Sequence, residues 1–455
     1  MMCQTTWRRL AGRAAAVGVI ALLATTAAPA AAQPAPLIGD QPAATLLLPY
    51  FEVDLENPGG ANTLFSVNNA SASAALVHVT VWSTMHVPVY GFDVYLTGYD
   101  MQTINVRDIL NGVLPMTASD GQDPLDDSSP TTGISNQGIL SQDINFASCA
   151  AAGPGDPNAL PPAPVPQAVL DHVRASLTGQ PSPLTGTCAS IPDGTRIARG
   201  YITVDDTTQC TSLSPRDPGY FTGVAGSRNL LWGDVVYVNH LPGQEASDGS
   251  PLVHIRAIPG GGIGNVYAPE ADTTVSGQYT FYGRLVNWTA IDNREPLATT
   301  FLSRFSSGGA FPATTLTVWR DAKVDQQAFT CGTTPSWYPL SQASIGIFDE
   351  QEQVEVAASV PFAPQVDSTV LRPFPAGAQR VRIGGSELPT TKTYGFVYLN
   401  LNTAVAGSPN PPENAAAAQA WVSVHMKGRG LYGVGWHATQ LDTARDTYNM
   451  VLPIH

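Results

Sequence analysis

The chain has 455 residues, with 36 Asp and Glu against 22 Lys and Arg, a formal net charge of −14 and only 13% charged residues. Three lysines and no basic cluster argue against nucleic acid or an anionic membrane as partner. No stretch beyond the first 32 residues approaches the run of about 20 apolar residues that a spanning helix needs, so no membrane span is expected.

Residues 1–32 read as a secretory signal peptide. Arg8, Arg9 and Arg13 make a basic start, "AAAVGVIALLATTAAPA" an apolar run, and Ala30-Ala31-Ala32 a small-residue cleavage site. Their removal takes away three arginines and no acid, which moves the net charge from −14 to −17. The expected address is the periplasm, the cell surface or the medium.

Residues 33–114 read as N-terminal β-sandwich strands. "YFEVDLE", "NTLFSVNN", "ALVHVTVWS", "VPVYGFDVYL" and "MQTINV" are short, rich in Val, Tyr, Phe and Thr, and separated by turn residues. "FEVDLENPGGANTLFSVNN" predicts a hairpin with Pro58-Gly59 central in a type II turn, Gly59 taking positive φ. Its outward face carries Glu52, Asp54 and Glu56 at about 6.6 Å intervals. Those three carboxylates are a candidate Ca²⁺ site, provided a second element supplies further oxygens.

Residues 115–194 form a Pro/Gly/Ser-rich insertion with one short helix. "PQAVLDHVRASLTGQ" places Leu170, Val173 and Leu177 on one face, and Gly179 then Pro181 stop it. "DGQDPLDD" groups Asp120, Asp123, Asp126 and Asp127, a second candidate Ca²⁺ site whose plainer reading is a solvated acidic loop. No other cofactor is implied.

Residues 195–455 read as a C-terminal β-rich region. Its strand candidates run from "RIARGYITVD" to "LYGVGWHATQ" and include "YTFYGRLVNW"; a short helix is expected at "PLATTFLSRF", where Ala298, Phe301, Leu302 and Phe305 share a face. The fold class is therefore all-β, one or two antiparallel β-sandwiches with a Pro/Gly-rich, helix-bearing insertion.

Four cysteines remain after the signal: Cys149, Cys188, Cys210 and Cys331. An even number in an exported chain predicts two disulfides, with three connectivities open. Cys149–Cys188, closing the insertion, is the favoured pair, with Cys210–Cys331 left by elimination.

"LLLPYFEVDLENPGGANTLFSVNNAS", "ARGYITVDDTTQC", "NLLWGD" and "FLSRFSSGGAFPATTLTVWRDAK" resemble a family of exported bacterial β-rich proteins of similar length with no assigned function. The resemblance implies export and a shared fold. "TLFSVNNASASAALVHVTVW" is similar to one strand pair of immunoglobulin-like domains.

Catalytic signatures do not assemble. "GRGLYG" (Gly428, Gly430, Gly433) fits a dinucleotide fingerprint by letter, but no room for a βαβ unit follows it. Its glycines suit a turn and close sheet packing. The histidines are scattered singly, and His425 shares a strand face with Ser423. Core packing is expected for most of the tryptophans, with Trp337 beside Tyr338 the expected exposed aromatic pair. These features favour an exported non-enzymatic protein with a binding or structural role and a glycan or cell-surface partner. The alternative is a carbohydrate-binding or carbohydrate-active sandwich, stabilised by Ca²⁺.

Overall fold

A computed structural model describes residues 41–115, 165–241, 246–257, 280–285, 292–307, 313–322, 327–342, 344–359, 373–402, 419–427 and 433–441. Its described residues form four antiparallel sheets with few helices. Asp120, Asp123, Asp126, Asp127 and Cys149 lie outside them.

The first sheet has the order β10 (Val253–Ile255), β1 (Thr45–Asp54), β6 (Ile197–Thr207), β3 (Ala75–Ser83), β4 (Pro88–Leu96). The second runs β5 (Met101–Asn105), β2 (Asn62–Asn69), β8 (Asp234–Asn239), β9 (Ala246–Pro251), with β7 (Leu231–Trp232) also pairing β2. Phe65, Val67, Val77, Val79, Ile202, Val204 and Val235 interleave between these sheets as one core. The third sheet is β15 (Ala378–Arg382), β12 (Thr314–Arg320), β17 (Ala420–Lys427), β18 (Gly433–His437). The fourth is β14 (Val354–Ser359), β13 (Ser344–Phe348), β16 (Tyr394–Asn400), β11 (Thr300–Ser306), β19 (Thr439–Gln440). Phe301, Phe305, Leu316, Val318, Ile347, Val397, Val422 and Val424 fill a second core between them. The chain thus builds two sandwiches. The strands of 197–255 complete the N-terminal one, so a division at 194/195 separates no sheets.

The two central strands of the third sheet, β12 and β17, are largely buried on both faces, and their period-two pattern explains why. In β12, Leu316 and Val318 face the second core while Thr315, Thr317 and Trp319 face the first sandwich. Trp319 pairs with Trp421 on one side and Ala378 on the other, and all three join the first core. Trp319 packs on Phe281 at 5.4 Å, on His86 at 5.8 Å and on Tyr201 at 6.0 Å. This aromatic floor joins the two sandwiches.

Several local expectations change. β1 and β2 are not a hairpin: they lie in different sheets, β1 between β10 and β6, and β2 between β5 and β8. The link between them is held instead by the Thr63 hydroxyl on Glu52 and by the Arg107 guanidinium, which donates to the carbonyls of Asn57, Gly60 and Ala61. Gly60 N donates to Asn57 O across the expected turn, but Gly59 is not at positive φ, so the turn is not type II.

"PLATTFLSRF" is strand, not helix. Its apolar spacing fits both periods, and pairing with β16 along all seven residues decides for the strand. Conversely, "YTFYGRLVNW" contributes a short helix, Phe281–Leu285. The helix over Gln167–Leu177 forms as expected, with Leu170, Val173 and Leu177 buried and Gly179 at φ +71.

The disulfide pairing is also corrected. Cys188 bonds Cys331, not Cys149, because an antiparallel bridge between Cys188 and Phe329 brings two segments 143 residues apart in sequence together. Cys210 is itself disulfide-bonded, so the Cys210–Cys331 pair is replaced too, and its partner lies outside the described residues. Trp337 is buried, 7% exposed, in a small cluster with Met85, Ala322 and Leu340 beside this bond. Among the described residues the exposed tryptophan is Trp232.

Candidate functional site

The face that the third sheet turns towards the first sandwich grades from apolar to polar. Register gives three cross-strand rows: Ala378–Trp319–Trp421, then Arg380–Thr317–Ser423, then Arg382–Thr315–His425. Lys427 lies two residues beyond His425 on the same face of β17. Where the row becomes polar the sandwiches no longer close, and a cleft of about 790 Å³ opens. Its opposite wall is Tyr50 and Glu52 of β1, Arg199 of β6, Tyr237 of β8 and Asp248 of β9.

Arg380 is the hub of this cleft. It reaches both oxygens of Asp248, at 3.0 and 2.9 Å, and Glu52 at 3.5 Å. Its guanidinium also sits 4.6 Å from the centre of the Tyr237 ring, a cation–π contact. The Tyr237 hydroxyl donates to Tyr50 O at 2.8 Å, and the Tyr50 hydroxyl to Glu52 at 3.2 Å. His425 Nδ1 lies 3.1 Å from Asp248 Oδ1, at an angle that falls short of a hydrogen bond, and its ring meets Tyr237 edge-on at 5.3 Å.

The charges follow from these contacts. Burial works to raise the Asp248 carboxyl, but the nearby His425 ring and the Arg380 charge override it and hold it below the usual range. Burial lowers His425 below 6.5, with Arg380 adding to the effect against the pull of Asp248, so the imidazole stays neutral. Burial works against the charge of Arg380, yet Asp248 and Glu52 keep it firmly protonated. Burial and then Glu52 raise the Tyr50 phenol well above 10.

Glycines make this wall possible. A Cβ on Gly435 would clash with Gly249 O and come within 2.8 Å of Ser250 Cβ and 2.9 Å of His425 Nδ1. A Cβ on Gly433, the last glycine of "GRGLYG", would lie 3.0 Å from Asp248 Cβ. Gly433 therefore serves close sheet packing, with β18 pressed on β9; Gly428 and Gly430 are outside the described residues.

The other expected site residues are placed separately. Glu52 enters the cleft wall. Asp54 folds back on its own turn, accepting from the backbone N–H of Glu56 at 2.9 Å and of Asn57 at 3.0 Å. Partial burial works to raise its carboxyl, and these bonds, with Asn57 Nδ2, hold it lower overall. Glu56 stands in solvent, 3.5 Å from Arg196. The three acids thus share a strand but not a centre. Among the described residues, no group of three or more His, Cys, Asp and Glu is placed to hold a metal. Ser423 bonds His437 Nδ1 at 3.3 Å rather than His425.

A second polar cluster is wholly buried. Asp205 accepts from Thr45 at 2.5 Å and from Tyr220 and Tyr282 at 2.7 Å each, with Arg294 donating to Thr45. It pins β1, β6 and the Phe281–Leu285 helix together.

Sequence reasoning missed Arg380, Arg382 and Asp248. "QRVRI" does alternate, Arg380 and Arg382 against Val381 and Ile383, and that period-two signal could have exposed the arginines. Comparison with protein-family models, curated proteins and solved structures found no match to this chain.

Proposed function

We propose that this is an exported, non-enzymatic binding protein whose ligand occupies the cleft between the third sheet and the first sandwich. The observation that carries the reading is the cleft itself. Its volume of about 790 Å³ falls within the roughly 300–1,000 Å³ of small-molecule sites, and its polar groups converge from seven strands. Asp248 has both oxygens on Arg380 and the His425 ring beside them, so it is a fixed charge that shapes a pocket rather than a group free to move a proton. The Cys188–Cys331 bond suits an oxidising compartment, and residues 1–32 supply the export signal.

Glycan binding is the second reading, and the outer face of β2 favours it. Trp232 and Met101 flank Asn68 across the register, both exposed, with Ser66 and Asp234 hydrogen-bonded alongside. An exposed indole beside such groups can stack on a sugar ring.

A thermal-shift screen of the purified protein against metabolites and glycans tests both. The expected outcome is a hit that disappears in Thr315→Trp, which fills the cleft, and persists in Trp232→Ala. A hit with the reverse pattern moves the site to the outer face. Hits indifferent to both substitutions, or none at all, overturn the binding reading.

A further inference from the structure

We infer that the cleft takes a small molecule carrying an oxyanion group, carboxylate, phosphate or sulfate, held between Arg382 and Lys427. This inference rests on the cleft being the binding site and names the chemistry of its ligand.

The lining holds four cations, Arg199, Arg380, Arg382 and Lys427, against two carboxylates, Glu52 and Asp248, in a chain whose net charge is −14. Pairing accounts for half of those cations. Arg380 is committed to Asp248 and Glu52, and Arg199 to Asp193. The side chains of Arg382 and Lys427 have no ion pair or hydrogen bond among the described residues, and both residues are exposed.

The sheet register aims these two at one place. Arg382 and His425 flank Thr315 in one row, about 5 Å to either side. Lys427 stands about 7 Å further along β17, on the same face. Two long cationic side chains thus rise on either side of a threonine hydroxyl. A planar fork, a point charge and a neutral donor are the set that recognises an oxyanion.

The floor beneath them supports the same polarity. His425 is 2% exposed, and its Nε2, like Arg380 Nε, has no hydrogen-bond partner among the described residues. Both residues line the cleft, and Arg380 Nε–H is an unused donor there, with no carboxylate opposing it beyond Glu52 and Asp248. A cation is disfavoured at the acids, because Arg380 already stands between Glu52 and Asp248. A polyanion is disfavoured too: two free cations in a concavity are not the extended basic stripe that nucleic acid needs.

Titration calorimetry of the purified protein at fixed ionic strength tests the inference. The probes are inorganic phosphate, sulfate, galacturonate and uncharged methyl galactoside. At least one anion is expected to bind while methyl galactoside does not, and which anion binds identifies the group. Arg382→Gln with Lys427→Gln is expected to weaken that binding at least tenfold. Arg196→Gln, which removes an exposed cation elsewhere, should leave it unchanged.

Anion binding that survives the double substitution overturns the inference, and so does absence of binding by all three anions. Methyl galactoside binding that is lost in Thr315→Trp but kept in the double variant overturns the oxyanion while leaving the cleft as the binding site.

Discussion

Arg380 is a single side chain on which the cleft depends. It is 16% exposed and it neutralises Asp248, which is 6% exposed, together with Glu52. Arg380→Met keeps much of the apolar stem but leaves two carboxylates without their cation. Removing one partner of a buried pair costs about 3–5 kcal/mol, so urea unfolding should show a loss in that range. Arg382→Gln, which breaks no side-chain ion pair or hydrogen bond among the described residues, should stay within about 0.5 kcal/mol. Equal losses in the two variants would refute the assignment. None of this was readable from the acidic strand alone. Glu52 does alternate outwards with Asp54 and Glu56, but its cation lies 328 residues away in sequence. A local pattern gives the direction of a side chain, not its partner across the fold, and so the strand suggested Ca²⁺ where the fold supplies an arginine.

Strands were legible where their residues prefer pleated, half-buried surfaces. "ALVHVTVWS" and "TTLTVWR" are strands over their whole length. β9 was not legible, because "ASDGSP" has neither β-branched nor aromatic residues. It exists because β8 pairs with it along six residues and β18 packs on it. That dependence makes β18 the vulnerable element. Gly435→Ala puts a methyl into Gly249 O, Ser250 and the His425 ring. Overpacking of this kind costs about 1–3 kcal/mol, and β18 and β9 must separate to relieve it. Gly223→Ala, with nothing within 4 Å of its Cβ, serves as the control and should change stability little. Chemical denaturation gives both numbers. A ligand of the cleft should also bind Gly435→Ala more weakly, since Asp248 moves with β9 and the added methyl presses on the His425 ring of β17.

The two sandwiches are joined by buried groups that titrate in opposite senses, and this sets how the whole molecule answers acid. The all-β class and the helix of the insertion followed from periodicity, but the joint did not, since it combines His86 from a turn, Trp319 from one sheet and Asp292 from a connecting segment. His86 sits at φ 62 with Nδ1 2.9 Å from the Tyr201 hydroxyl, and burial lowers its pKa to about 3. Between pH 6.5 and 3 the unfolded chain binds a proton that folded His86 refuses, so acidification destabilises the fold through this group. Asp292 is the reverse case: burial raises its carboxyl to about 7, against the opposing charge of Arg294. Between pH 7 and 3.8 the folded chain binds a proton that the unfolded one does not, so acidification stabilises through Asp292. Each slope is about 1.4 kcal/mol per pH unit at most, and over pH 4–6 the two largely cancel. Single substitutions should uncover them. Asp292→Asn should lose about 1 kcal/mol of stability per pH unit on going from pH 6 to pH 4, relative to the unsubstituted protein. His86→Asn, which tolerates the left-handed backbone, should gain a similar amount over the same interval. Urea midpoints at pH 4, 5 and 6 read both slopes. Parallel slopes in the two variants would show that neither group is buried in the state claimed for it, and the double variant should restore the shallow dependence of the parent.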